Sequence, residues 1–109
     1  MDYMTLHEVC ISAGVSRRAI QGYEKIKLVS ATCKTERGYL LYDEDAQKRI
    51  RQIKFYQQLG FALKEIGEII DAPSEMLRIA LEKRVKELEK HSKDTEVLIQ
   101  KANELIRML

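Results

Sequence analysis

From Ser74 to Leu109 the chain contains neither glycine nor proline. Within that stretch Leu81, Val85, Leu88, Ser92, Thr95, Ile99, Ala102, Ile106 and Leu109 follow one another in steps of four and three. Such steps keep a stripe of residues on one side of a helix over successive heptads. The spacing predicts one uninterrupted helix over residues 73–109, roughly 50 Å long at about 1.5 Å per residue. A stripe of that length cannot be covered by the small domain that precedes it. A second copy of the chain is the simplest cover. Residues 73–109 are therefore expected to form a dimerisation coiled coil, with Leu81, Val85, Leu88, Ser92, Thr95, Ile99, Ala102 and Ile106 on its seam. Glu82–Lys86 and Glu89–Lys93 stand four apart on the wet face, where opposite charges support a helix.

Residues 1–72 read as a different kind of structure. Leu6, Val9, Cys10 and Ala13 share a helix face, Thr5 and Glu8 have capping-box spacing, and Gly14 is a helix terminator. Ser16 is a good N-cap for a second helix running to about Ile26, with Ala19, Ile20 and Tyr23 inward. Helix, glycine turn and short helix form the helix-turn-helix signature. Leu28-Val29 and Gly38-Tyr39-Leu40-Leu41-Tyr42 flank a polar stretch and predict a β-hairpin, the wing of a winged helix. Asp43 caps a third helix with Ala46, Ile50, Ile53 and Tyr56 inward. Gly60 ends it, and a short fourth helix carries Leu63, Ile66, Ile69 and Ile70. The expected fold class is thus mainly α: a winged helix-turn-helix with a small β-hairpin wing, over residues 1–72, plus a long C-terminal coiled-coil helix.

The net charge of +2 announces no polyanionic partner by itself. Its distribution does. Residues 15–54 hold ten Lys/Arg against five Asp/Glu, a local excess of +5. A basic surface on a near-neutral protein suits a polyanion such as double-stranded DNA. Two cysteines are too few for a disulfide framework, and no apolar run approaches the roughly 20 residues that span a bilayer. A cytoplasmic protein with reduced thiols and no membrane partner is expected.

Arg17 and Arg18 open the second helix, beside Ser16. The first residues of a recognition helix reach base edges in the major groove, and arginine can grip guanine through two hydrogen bonds. The plainer alternative is a pair of solvated arginines. Lys34 and Arg37 fall at the wing tip, where cations neutralise phosphate, unless the tip is an ordinary polar turn. Tyr39 is the better of the two wing tyrosines for a phosphate contact. Tyr23 has two open readings, a hydroxyl offered to phosphate or a core side chain. Arg49, Lys54 and Lys64 read as solvated, with one or two near phosphate. The amides near Ala62 and Leu63 offer a further anion site. His7 and His91 are isolated, Cys10 reads as core and Cys33 as an exposed wing residue. No catalytic arrangement, metal site, cofactor or glycine-rich phosphate loop is expected, so the chain does not read as an enzyme.

The order of elements, together with particular runs of residues, resembles the MerR family of bacterial transcription regulators. The run from His7 to Ile20 looks like the family's helix-turn-helix, and Tyr23-Glu24 the end of its Arg-Tyr-Tyr-Glu motif. Gly38-Tyr39 and Tyr42 are similar to its second wing strand. The run from Leu59 to Ile66 resembles its Leu-Gly-Phe-Ser-Leu-x-Glu-Ile. The chain departs from the pattern at Gln21, Gly22, Leu40 and Ala31, and near Cys33 and Lys34. The resemblance implies an antiparallel homodimer that binds a palindromic operator and distorts promoter DNA, with RNA polymerase as a further partner. It also implies that metal-sensor cysteines are missing here. The competing reading is a protein-interaction adaptor of the chaperone-modulator type that has lost DNA binding, which the changes at Gln21 and Leu40 favour.

Overall fold

The computed structural model describes residues 3–90 and 96–109. The chain divides into two compact units, residues 1–55 and 56–109.

The first unit contains a three-stranded antiparallel sheet and the helices packed around it. Its elements are β1 (Met4–Thr5), α1 (Leu6–Ala13), α2 (Arg17–Lys25), β2 (Cys33–Lys34), β3 (Leu40–Tyr42) and most of α3 (Glu44–Gln58). The strand order is β1-β3-β2, with Met4 opposite Tyr42 and Cys33 opposite Leu41. β1 was not legible in the sequence: two residues are too few to show alternation. The first wing strand is also displaced from Leu28-Val29 to Cys33-Lys34. Leu28 and Val29 are instead buried, at 7% and 8% exposure. The core also holds Val9, Ile20, Tyr23, Tyr42, Ala46, Ile50 and Ile53. Each large apolar side chain taken fully out of water contributes about 1.5–3 kcal/mol.

The helix caps follow the sequence closely. Thr5 Oγ1 accepts from the Glu8 amide and Glu8 Oε1 accepts from the Thr5 amide, closing a capping box. That arrangement holds the Glu8 carboxyl below its ordinary pKa. Ser16 caps α2 through the Ala19 amide at 3.0 Å, and Asp43 caps α3 through the Ala46 amide at 2.9 Å.

The second unit holds the end of α3, then α4 (Leu63–Ile69), α5 (Ser74–Glu89) and α6 (Glu96–Met108). α3 ends in a full Schellman turn. The Gly60 amide bonds the Gln57 carbonyl and the Phe61 amide bonds the Tyr56 carbonyl. The Phe61 ring then meets the Tyr56 ring edge-on at 6.3 Å. Gly60 adopts φ +100, and a Cβ there would collide with the Arg84 guanidinium, whose Nε donates to the Leu59 carbonyl.

α4 starts with half a capping box. Glu65 accepts from the Ala62 amide at 2.9 Å, but alanine offers no oxygen in return. Ala62→Ser is expected to supply it and to raise the unfolding free energy by about 1 kcal/mol. Urea denaturation measures this, and an unchanged midpoint would refute the cap.

One expectation is corrected in this unit. The C-terminal segment is not one long helix, because α5 and α6 pack against each other. Their midpoints lie about 20 residues apart, which would be ~30 Å along a straight helix. The physical reason is the apolar stripe itself: a single chain covers it with its own second half. Leu81, Val85 and Ala102 are thereby buried, and Leu88, Ile99 and Ile106 half-buried. Leu98 and Leu105, absent from the expected seam, are half-buried beside them. Ser92 and Thr95 lie outside the described residues. α4 packs on α5, with Ile66 as fully buried as Leu81, and the division into compact units lies inside α3.

Candidate nucleic-acid interface

α1 and α2 are joined by a tight glycine turn. Gly14 takes φ +66, and the Val15 amide reaches back to the Cys10 carbonyl at 3.1 Å. Lys54, from α3, donates to the Ala13 and Gly14 carbonyls and so neutralises the C-terminal end of α1. Arg49 donates to the Leu28 carbonyl at 2.9 Å. Both cations were read as solvated, yet they brace the turn and the α2 exit. Their distant carbonyl partners left no trace in local spacing.

The braced helix presents Ser16, Arg17, Arg18, Gln21 and Lys25 to solvent. Arg17, Gln21 and Lys25 recur every fourth residue and so share one face. The charge on this helix runs against helix electrostatics. Among the described helices, α1, α3, α4, α5 and α6 each carry an acidic residue in the first turn, whereas α2 carries none and begins with two arginines. A cation at the positive end of a helix dipole costs roughly 0.3–1 kcal/mol. Violations of a local rule that the rest of the chain obeys gather at functional sites.

The wing lies in the same unit. Its loop is closed by the Thr35 amide on the Tyr39 carbonyl, the Gly38 amide on the Thr35 carbonyl, and the Tyr39 amide on Thr35 Oγ1. Lys34, Arg37 and Tyr39 are all exposed, Tyr39 at 63%. Thr32 fastens the wing base, accepting from the Asp43 amide at 2.9 Å.

Tyr42 donates to Glu24 Oε1 at 2.7 Å, tying the second wing strand to α2. Burial, then the Glu24 hydrogen bond and charge, push the Tyr42 phenol well above its ordinary pKa. Tyr23 is a correction to the surface list. It is 1% exposed and its phenol is pushed up by burial, so the core reading applies and phosphate has no access. It packs on the inward face with Ile20, three residues earlier. Cys33 is exposed on β2 and Cys10 half-buried on α1.

α2 closes with Lys27 in the left-handed region, at φ 63. The Lys27 amide bonds the Glu24 carbonyl and the Leu28 amide bonds the Tyr23 carbonyl, a Schellman turn with lysine where glycine is favoured. Lys27→Gly is expected to stabilise the fold by about 0.5–1 kcal/mol, since only the left-handed strain is removed. A thermal or urea midpoint that falls would contradict this geometry.

Among the described residues, no group of three or more His, Cys, Asp or Glu could hold a metal ion. No described helix is long and apolar enough to cross a membrane.

Glycine-turned helices, an antiparallel wing and an α2 whose exposed face is basic define a winged helix-turn-helix. Residues 4–73 match the family model of MerR HTH family regulatory proteins, and residues 47–105 match the model described as MerR, DNA binding. The chain belongs to the MerR family. It is 33% identical over 93 residues to the HTH-type transcriptional activator mta of Bacillus subtilis (strain 168), covering 85% of this chain and 36% of that protein. The N-terminal part of the Bacillus subtilis multidrug transporter activator MtaN superposes with a TM-score of 0.71 at 31% identity, over 93% of this chain and 95% of that one. A MerR family regulator lacking the sensor domain, bound to promoter DNA, shares the fold with a TM-score of 0.58 at 17% identity, over 97% of this chain and 80% of that one. The chain spans 36% and 38% of the lengths of the first two curated relatives it matches.

Proposed function

We propose that this chain binds double-stranded DNA and regulates transcription. Arg17 and Arg18 face base edges in the major groove, and Lys34, Arg37 and Tyr39 face the sugar-phosphate backbone. The observation that carries this reading is the first turn of α2. It alone among the described helices lacks an acid and bears two exposed arginines. Helix stability opposes that choice and a polyanionic partner rewards it. The chain's likeness to a transcriptional activator supports the regulatory part.

The same reading makes the functional form a homodimer on a palindromic operator, joined through the apolar side chains that α5 and α6 leave exposed, Met76, Ile79, Val97 and Met108. Two-fold protein symmetry is matched by two-fold symmetry of the site. A dimer that deforms its promoter draws on backbone contacts to offset a deformation of order 1–10 kcal/mol, and RNA polymerase then engages the reshaped promoter. The adaptor alternative is less well supported, because the exposed cations of α2 and the wing would have no anion to meet.

Selection of bound duplexes from a random library tests this reading. An enriched inverted repeat is expected. Enrichment of a single half-site would refute the symmetric dimer, and no enrichment would refute sequence-specific binding.

A further inference from the structure

Among the described residues, Lys27 is the one side-chain-bearing residue in the left-handed region, at φ 63. The other positive-φ positions are Gly14, Gly38 and Gly60. Glycine enters this region without strain because it has no Cβ to crowd the following carbonyl. The chain thus obeys the rule at three such turns and departs from it at one. That turn closes α2, the helix whose first turn departs from another local rule by carrying two arginines and no acid.

Nothing within the chain offsets the strain at Lys27. Its side chain is exposed and makes no hydrogen bond or ion pair with any described residue. A cation is favoured at the negative end of a helix, but Lys25 already stands in the last turn of α2 with ordinary helical backbone. The turn does require a left-handed residue. The Lys27 amide reaches the Glu24 carbonyl at 3.0 Å and the Leu28 amide reaches the Tyr23 carbonyl at 2.9 Å. It does not require a lysine. Strain that brings no return inside a fold collects at sites where a partner uses the strained residue.

The position of Lys27 indicates which partner. Arg17, Gln21 and Lys25 form the exposed row of α2. Beyond them the chain turns inward, and Leu28 and Val29 are buried. Lys27 is therefore the last exposed side chain of this surface before the chain enters the core. An ammonium on a flexible stem acts as a point charge, which suits a phosphate oxygen better than the fixed pattern of a base edge.

We infer that Lys27 is a phosphate ligand of bound duplex DNA, holding the sugar-phosphate backbone at the C-terminal end of α2. This rests on the DNA-binding reading above and adds an anchor separate from the wing. The left-handed lysine exchanges fold stability for affinity. Replacing it therefore moves the two properties in opposite directions, whereas a residue with a purely structural role moves them together.

The full chain is compared with Lys27→Gly and Lys27→Arg. Urea denaturation reads stability. Fluorescence anisotropy reads binding to random duplex and to the selected operator, over about 50–200 mM salt. Lys27→Gly should unfold at the parent's urea concentration or a higher one. It should bind both duplexes about threefold more weakly for each lysine lost, or about tenfold for a dimer that loses two. The slope of log affinity against log salt should become shallower by about 0.9 for each phosphate contact removed. Lys27→Arg keeps both the charge and the strain, and should keep the parent's affinity, salt slope and urea midpoint.

A Lys27→Gly chain with the parent's affinity and salt slope would overturn the inference and leave DNA binding intact. A loss confined to the operator would overturn a backbone contact, and an arginine variant as weak as the glycine one would overturn the role of charge. A urea midpoint that falls together with affinity would assign Lys27 a structural role instead. A parent that binds no duplex at the lowest salt would overturn the DNA-binding reading itself.

Discussion

Replacing Arg17 and Arg18 together by alanine is expected to weaken binding to the selected operator by about thirtyfold or more. Each base-edge contact from a bidentate side chain is worth about 1–3 kcal/mol, and two such contacts give about 2–6 kcal/mol. Every 1.4 kcal/mol or so is tenfold in affinity. The fold itself should not suffer. Both side chains are exposed, neither caps a helix, and removing two cations from the positive end of α2 relieves the dipole. The double variant should therefore denature at the same urea concentration as the parent or a slightly higher one. The wing makes the contrast. Arg37→Ala should weaken operator and random duplex by the same factor, because a backbone contact carries no sequence information. Fluorescence anisotropy with both duplexes reads the two cases. A double variant that loses no discrimination between operator and random DNA would remove α2 from the role of base reader.

Tyr42→Phe is expected to cost about 1.5–3 kcal/mol of stability. The lost bond is a hydroxyl donated to a carboxylate at 2.7 Å, and a hydrogen bond to a charged group lies in that range. The ring remains to fill its buried place, so the change isolates the hydroxyl. A pH dependence goes with it. In the folded chain the Tyr42 phenol is held well above the ordinary tyrosine value of 10.0. The folded state thus keeps a proton that the unfolded state releases. The stabilisation is fully present below about pH 10 and is lost as pH climbs above that value. The parent should lose stability steeply above about pH 10, and Tyr42→Phe should flatten the curve, leaving the smaller contribution from buried Tyr23. Urea midpoints collected from neutral to alkaline pH measure this. Parallel curves for parent and variant would show that Tyr42 is not the group responsible. Because the bond joins α2 to the second wing strand, the variant should also bind the operator less tightly at neutral pH.

What could be read from the residues was whatever depends on neighbours close in the chain. Thr5 with Glu8, Ser16 with Ala19, and Asp43 with Ala46 are caps three residues apart, and each closes as the spacing demands. Gly14 and Gly60 end α1 and α3 for the same local reason. The cations of α2 and the wing were visible because helix position alone exposes them. Contacts between distant residues were hidden. Tyr42 with Glu24, Arg49 with the Leu28 carbonyl and Lys54 with the α1 terminus span 18, 21 and 40 or 41 residues, and nothing local marks them. Tyr23 shows the ambiguity of an amphipathic side chain, whose type fits both a core and a phosphate contact until burial decides. The C-terminal helices show another. A four-three stripe states that a face must be covered, and it does not say by which chain.

Binding of duplex DNA through the cations of α2 and the wing is tested most directly by a salt titration. Anisotropy of a labelled random duplex should report binding at about 50 mM salt that weakens about a thousandfold by about 200 mM, the loss expected when roughly six phosphates are neutralised per dimer. An affinity that is the same at both salt concentrations, or no binding at the lower one, would contradict the account.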